Sequence, residues 1–171
     1  MIIQELISYA NEKIKGTDKE LEAIKFMVSE RLNMSTSSLY INYLQKLDSR
    51  TIKCLKRDIH KYVKKNIPVQ YILGYTYFYG LKIDVNPRVL IPRFETEELV
   101  EKTLENIALD ERISILDVGT GSGAIALAVK KNRPLCRVVA SDVSKSALKI
   151  AKQNAVNLKL DVDFKQSNLL D

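Results

Sequence analysis

The feature that most constrains this chain is a glycine-rich turn. Residues 117–123 read Asp-Val-Gly-Thr-Gly-Ser-Gly and lie between a largely apolar run at 113–116 and a helix-forming stretch at 124–131. Glycine tolerates the positive φ and the close backbone approach that a turn requires where a ligand contacts it. A strand, a glycine turn and a helix in this order predict the first unit of an open α/β sheet with a ligand at the turn.

The spacing of the glycines narrows the ligand. A dinucleotide-binding turn reads Gly-x-Gly-x-x-Gly, with its third glycine inside the helix. Here an acid is followed by alternating glycines, which is typical of sites for S-adenosylmethionine (SAM). A plain strand-to-helix turn is the alternative, but it does not need three alternating glycines. The sequence therefore predicts SAM as the cofactor, bound by the residues of the turn: Asp117, Gly119, Thr120, Gly121, Ser122 and Gly123.

Polar side chains also follow the next two predicted strands. Asp117 can orient the turn or meet the ammonium group of a bound amino acid. Asp142 can accept both hydroxyls of a ribose, although an acid in this place can instead cap the following helix; we favour the ribose. Asn168 can read an adenine edge or have no ligand at all, and both interpretations stay open.

Composition and single residues exclude several classes of protein. Of 171 residues, 46% are apolar and 28% charged, as in an ordinary globular protein. No apolar stretch approaches the roughly 18 residues of a membrane span, and the amino terminus does not read as a secretory signal. Cys54 and Cys136 lie far apart, and His60 is the only histidine. We therefore expect a cytoplasmic protein with reduced thiols and no metal site.

The basic charge is concentrated in one stretch. Residues 46–65 contain eight basic and two acidic residues, so this stretch carries +6, as much as the formal net charge of the whole chain. Such a strip can attract RNA or an acidic protein surface. It can equally be a solvated helix face, which is the interpretation that we favour.

Residues 1–68 are predicted to form an all-α bundle of four or five helices. Apolar residues recur there at helical spacing, and Gly16 is expected to end the first helix. Residues 17–20, Thr-Asp-Lys-Glu, match a capping box that would begin the second helix. Ser35 offers a third helix start, and the last helix is expected to end before Pro68.

Aromatic and β-branched residues broken by Gly74 and Gly80 then predict a β-hairpin linker at 69–91. Residues 92–171 begin with a helix and continue with strand 113–118, helix 122–131, strand 137–141, helix 145–158 and strand 162–166. This β-α-β-α-β pattern predicts an α/β fold, the first half of a Rossmann-like class I SAM-dependent methyltransferase domain. The first strand would have an unpaired apolar edge, through which the chain could self-associate.

Several segments together resemble the HemK/PrmC family, the protein-(glutamine-N5) methyltransferases that act on peptide chain release factors. They are the glycine turn, the acid at 142, residues 68–74 (Pro-Val-Gln-Tyr-Ile-Leu-Gly) and above all residues 89–97 (Val-Leu-Ile-Pro-Arg-Phe-Glu-Thr-Glu). The resemblance covers the whole chain. It implies methylation of the glutamine in the Gly-Gly-Gln motif of class 1 release factors, with the helical bundle recognising the substrate and residues Arg93, Glu95 and Thr96 near cofactor and substrate.

The chain departs from this family in two places. Phe94 stands where family members usually have proline, and the catalytic signature Asn-Pro-Pro-Tyr does not occur in the sequence. We therefore expect a fragment without catalytic residues, with weak SAM binding and little or no turnover. Two alternatives remain. One is an adenine-N6 methyltransferase of DNA or RNA, supported by the basic strip, and the other is a non-enzymatic interaction module.

Overall fold

The computed structural model describes residues 1–169. The chain divides into two compact units, Met1–Leu73 and Gly74–Asp171. Within the described residues, no helix combines the length and the apolar character that a membrane span requires.

The first unit is helical, as predicted. Its core is formed by apolar residues that recur at three- and four-residue spacing, among them Leu6, Ile24, Leu55 and Ile59, all with at most 1% of their surface exposed. Helix–helix contacts join the first helix to the second and fourth, and the second to the fifth. The helices of the described residues in this unit are α1 (Ile3–Ile14), α2 (Leu21–Leu32), α3 (Thr36–Ile41), α4 (Ser49–Lys64) and α5 (Val69–Leu73).

Local details of this unit differ from the sequence prediction at two helix starts. The capping box at 17–20 is wrong: α2 begins only at Leu21, and the Thr17 hydroxyl donates to the carbonyl oxygen of Ile14 at 2.7 Å, at the end of α1. Residues 69–73 form the short helix α5 instead of the first hairpin strand. By contrast, Ser35 does cap α3, because its Oγ accepts from the Ser38 N–H at 3.0 Å.

The basic stretch lies mainly on α4. Arg50, Lys53 and Lys64 are exposed on this helix, and Lys56 lies over the Tyr9 ring at 4.8 Å from its centroid. The acid within the stretch, Asp58, is fully buried and accepts from Arg31 and Arg57. The exposed cations therefore form a solvated face of α4.

The second unit contains a two-stranded β-hairpin, followed by helices that alternate with three parallel strands. β1 (Tyr75–Phe78) and β2 (Leu81–Asp84) pair antiparallel around the turn at Tyr79 and Gly80. The elements that follow are α6 (Glu95–Glu105), β3 (Ser114–Val118), α7 (Ala124–Asn132), β4 (Arg137–Asp142), α8 (Lys145–Leu158) and β5 (Asp163–Gln166).

The parallel sheet has the order β3-β4-β5, with Ser114 opposite Arg137 and Val139 opposite Asp163. This confirms the predicted β-α-β-α-β half of a Rossmann-like fold. Parallel strands place all their carboxyl ends at one edge of the sheet, and the glycine turn follows the first of these ends.

β3 is an edge strand within the described residues, because only β4 pairs with it. Leu116 and Val118 on this strand are 51% and 41% exposed. An apolar strand with one unpaired side can pair with another chain. Self-association through β3 stays a prediction. Asp171, the last residue of the predicted second domain, lies outside the described residues, as does Leu170.

Candidate cofactor site at the glycine turn

The glycine turn connects β3 to α7, and its three glycines have different roles. All have positive φ, at 76° for Gly119, 57° for Gly121 and 83° for Gly123. A Cβ added at Gly119 would meet no atom within 4 Å, and one at Gly121 would meet only the Gly119 oxygen, at 4.0 Å. The first two glycines therefore leave their backbone open to a ligand, as a cofactor cradle requires.

Gly123 is required for packing rather than for ligand access. A Cβ at this position would lie 3.1 Å from the Ala151 Cβ and 3.2 Å from Leu127 Cδ1. Ala151 is on α8, so the third glycine lets the turn approach this helix closely. Its N–H donates to the Thr120 oxygen at 2.9 Å, which closes the turn.

Asp117 organises the turn from the end of β3. Its Oδ2 accepts from the Thr120 hydroxyl at 2.6 Å and from the Ala126 N–H at 3.3 Å. Burial raises the pKa of Asp117 above its ordinary value, and the nearby charge of Asp142 raises it further, while the two hydrogen bonds act in the opposite direction. A cation placed beside this carboxylate would be stabilised by it.

Asp142 holds the turn from the end of β4. One carboxylate oxygen accepts from the Gly121 N–H at 2.9 Å and the other from the Ser144 N–H at 2.8 Å. Ser144 itself caps α8, since its Oγ accepts from the Ala147 N–H at 3.2 Å. Each carboxylate oxygen has further acceptor capacity beyond one N–H. The predicted ribose contact is thus compatible with this geometry and stays a prediction.

The backbone of β4 completes the base of the turn. The N–H groups of Gly119 and Thr120 both donate to the Ser141 oxygen at 2.9 Å. Thr120 and Ser122 are buried, and the Thr120 hydroxyl stabilises the turn through its hydrogen bond to Asp117. Asn168 is exposed after β5. The residue before it, Ser167, donates its N–H to the backbone carbonyl oxygen of Asp142 at 3.3 Å. All three predicted strand ends therefore lie at one edge of the sheet.

The residues predicted from the segment 89–97 lie at the start of α6. Arg93 and Glu95 are exposed and Thr96 is half-buried, and the Thr96 N–H donates to the Arg93 oxygen at 3.0 Å. Phe94 takes the N-cap position of α6 in helical conformation and is 77% exposed. Their roles near cofactor and substrate stay predictions.

Two residues that were not predicted as site residues, Glu97 and Asn154, each connect separate elements of the second unit. Glu97 accepts from the Tyr79 N–H at 2.7 Å and so ties α6 to the hairpin turn. Asn154 donates to the Ser122 oxygen at 2.9 Å and also bonds the backbone of Asp84. A signal for Asn154 was present: it is a polar residue between Ala151 and Ala155 on the apolar face of α8.

The site fits the adenosyl group of SAM. The cofactor is a cation with a ribose and an amino acid part. The turn offers an open glycine backbone for close approach, and two half-buried carboxylates, Asp117 and Asp142, lie at the ends of neighbouring strands. A ligand at the carboxyl ends of parallel strands is the general rule for such sheets. Fold and site together define a nucleotide-binding domain of Rossmann-like type.

Comparison with known families agrees with this site. Residues 78–171 match the family model of the methyltransferase small domain, and residues 5–74 match that of the PrmC N-terminal domain. The chain therefore belongs to the methyltransferase small domain family. Its fold is that of a SAM-dependent methyltransferase domain, and SAM is the cofactor of this class.

Three curated relatives carry the same name. The chain is 41% identical over 169 residues to the release factor glutamine methyltransferase of Streptococcus pneumoniae, a match that covers 98% of this chain and 60% of the relative. The corresponding protein of Bacillus subtilis is 35% identical, with coverages of 99% and 60%. That of Koribacter versatilis is 50% identical over 103 residues, with coverages of 60% and 37%. The matches to the proteins of Streptococcus pneumoniae and Bacillus subtilis include nearly all of this chain. The chain spans about 60% of the length of these relatives.

Solved structures are similar over shorter stretches. A ribosomal protein L11 methylase of Lactobacillus delbrueckii subsp. bulgaricus is 31% identical with a TM-score of 0.39, covering 46% of this chain and 40% of that protein. A SAM-dependent methyltransferase of Aquifex aeolicus is also 31% identical, with a TM-score of 0.36 and coverages of 40% and 38%. At these TM-scores the similarities carry no further conclusion.

Proposed function

We propose that this chain carries the cofactor-binding and substrate-recognition parts of an enzyme that methylates the glutamine side chain of the Gly-Gly-Gln motif in class 1 peptide chain release factors. The observation that carries the proposal is the glycine turn, with open backbone at Gly119 and Gly121 and a carboxylate at each adjoining strand end. The names of the relatives support the choice of substrate.

In this proposal each part of the site contacts one part of the cofactor. The adenosyl group lies against Gly119 and Gly121, Asp142 accepts from the ribose hydroxyls, and Asp117 meets the ammonium group directly or through water. Asn168 is the candidate for the adenine edge. The bound cofactor supplies an activated methyl group, while the protein supplies geometry. The proposal assigns no catalytic residue to this chain.

The amide nitrogen of glutamine is a poor nucleophile, because its lone pair is delocalised into the carbonyl group. Methyl transfer to it therefore requires close, in-line placement and stabilisation of the charge that develops. We assign substrate recognition to the helical unit, since residues 5–74 match the PrmC N-terminal domain.

Ligand selectivity tests the cofactor assignment. Titration calorimetry is expected to show binding of SAM and of S-adenosylhomocysteine, which share the adenosyl and amino acid parts, and no binding of NAD⁺ at the same concentrations. The alternating glycines favour the adenosyl compounds over NAD⁺, because a dinucleotide-binding turn reads Gly-x-Gly-x-x-Gly. Binding of NAD⁺ with no binding of either adenosyl compound would refute the assignment.

Cofactor affinity is expected to fall in acid. Burial raises the pKa of Asp117 above its ordinary value of 3.8, so the carboxyl takes up a proton earlier than an exposed aspartate as the pH falls. A bound ammonium favours the ionised carboxylate, and protonation removes that stabilisation. Calorimetry between pH 7.5 and pH 4.5 is expected to show a constant affinity at the neutral end and a loss toward the acidic end.

The Asp117→Asn variant is the control for this pH dependence. It cannot ionise, so its affinity is expected to be lower at neutral pH and to lose most of the acidic decline. An equally steep decline in the variant would show that another group titrates, and the contact between Asp117 and the ammonium would then be wrong.

The substrate is tested separately. A purified class 1 release factor is expected to bind the chain, and labelled SAM is expected to give little or no methylation of it by this chain alone. Full methylation activity would contradict the assignment of this chain to binding and recognition only.

The exposed cations of α4 favour one second candidate function. An adenine-N6 methyltransferase would be expected to bind plain duplex DNA through Arg50, Lys53 and Lys64, with an affinity that falls steeply with salt. A gel shift at two salt concentrations separates the candidates, because recognition of a release factor requires no such shift.

A further inference from the structure

Asn154 is a buried polar residue that contacts two separate parts of the second unit. It is 1% exposed and lies on α8. Its Oδ1 accepts from the Asp84 N–H at 2.8 Å, and its Nδ2 donates to the Asp84 oxygen at 3.1 Å and to the Ser122 oxygen at 2.9 Å. One side chain thus joins the last residue of β2 to the glycine turn.

The contacts around Asn154 reinforce this connection. One helical turn before it, Ala151 forms the close contact surface for Gly123, and residues at i and i+3 share one helix face. One turn after it, the exposed Asn157 donates to the Asp84 carboxylate at 2.9 Å. Along one face of α8, Ala151 therefore contacts the glycine turn, Asn154 contacts both the turn and the hairpin, and Asn157 contacts the hairpin alone.

We propose that Asn154 is a positioning residue, which fixes the glycine turn against the β1–β2 hairpin and so makes the hairpin part of the support of the cofactor site. The side chain itself is covered by protein on all sides, and every polar atom that it carries has a backbone partner. A fully satisfied buried amide has a defined orientation, and this orientation defines where the Ser122 carbonyl lies. The effect on cofactor affinity rests on the proposed function, whereas the effect on the turn does not.

Amide hydrogen exchange of the ligand-free protein tests the connection directly. The N–H groups of Gly119, Gly121 and Gly123 are hydrogen-bonded and exchange only when the turn opens. Asn154→Asp keeps the acceptor for the Asp84 N–H, but its second oxygen carries at most one proton and cannot donate to both the Asp84 and the Ser122 carbonyl oxygens. We expect exchange at the three glycines to rise about tenfold while the Asp84 amide stays protected.

Two further variants keep the test decisive. Asn157→Ala removes only the contact with the Asp84 carboxylate and is expected to leave the three glycine amides unchanged. Asn154→Ala is expected to expose the turn and the Asp84 amide together. A merely structural role predicts instead that exchange rises equally throughout the β3–β4–β5 core in both Asn154 variants, and that result, or wild-type exchange at the glycines, would overturn the proposal.

Titration of the same variants with SAM tests whether Asn154 also affects cofactor affinity. We expect about a tenfold loss of affinity in Asn154→Asp and none in Asn157→Ala. If the wild-type protein binds no SAM, the proposed function fails, and the exchange experiment still decides the role of Asn154. If SAM binds equally to wild type and Asn154→Asp, the turn does not depend on this side chain for its binding geometry.

Discussion

The Gly121→Ala protein is expected to lose SAM binding by at least about 100-fold while it remains folded. Gly121 has a φ of 57°, and an added Cβ would meet only one protein atom, at 4.0 Å. The methyl group would therefore occupy the space in which we propose that the cofactor lies, and a methyl group inserted there prevents close backbone approach. Calorimetry measures the affinity, and urea unfolding measures the stability.

Backbone strain must be separated from this steric effect. Alanine at positive φ costs about 1 kcal/mol wherever it occurs. Gly80→Ala is the matched control, because Gly80 has a φ of 72°, lies in the hairpin turn and has no atom within 4 Å of an added Cβ. It is expected to lose similar stability and to bind SAM normally. Equal affinity in the two variants would place the cofactor elsewhere.

Gly123→Ala gives the opposite signature. Its Cβ would lie 3.1 Å from Ala151, so the strain of positive φ and overpacking against α8 add, at about 2–4 kcal/mol in total. The main loss is thus expected in stability, with affinity lowered through the displaced turn. The three glycine variants together distinguish ligand access, backbone strain and packing.

The Asp58→Ala protein is expected to lose about 3–4 kcal/mol of stability in the helical unit. Asp58 is fully buried, and its carboxylate accepts from Arg31 Nε at 3.0 Å and from Arg57 Nε at 3.3 Å. Arg31, with 32% of its side chain exposed, also donates to the Ile72 oxygen at 2.8 Å. Removing one partner of a buried ion pair leaves an uncompensated charge, which costs far more than the pair contributes.

Arg57→Ala is the control for Asp58. Its side chain is 61% exposed, so its loss is expected to cost no more than about 1 kcal/mol. Urea unfolding followed by circular dichroism measures both variants, and hydrogen exchange of the α2 and α4 amides assigns the change to the helical unit. Similar stabilities of Asp58→Ala and the wild type would show that the buried carboxylate is not the anchor of this unit.

Where the sequence predicted the structure well, one local signal was sufficient. α8 has the predicted bounds 145–158, because Ser144 caps its start and Lys159 ends it in left-handed conformation. The glycine turn lies between β3 and α7 because only glycine takes positive φ readily at alternate positions. Such features depend on a few consecutive residues, which the sequence displays directly.

Where the prediction failed or was silent, tertiary contacts decide. The Thr17 hydroxyl could have capped α2, but it bonds the end of α1 instead. Residues 69–73 have strand-forming side chains, yet Val69, Ile72 and Leu73 pack into the helical unit as α5. The sequence shows Asn154 as a polar residue on the apolar face of a helix, but it does not show the partners of this side chain, which lie 32 and 70 residues away.

A crystal structure of this chain with S-adenosylhomocysteine tests the central claim most directly. The account predicts the nucleoside against Gly119 and Gly121, with its ribose hydroxyls on the Asp142 carboxylate and its ammonium group toward Asp117. A nucleoside bound away from the turn, or a ribose that does not contact Asp142, would contradict it.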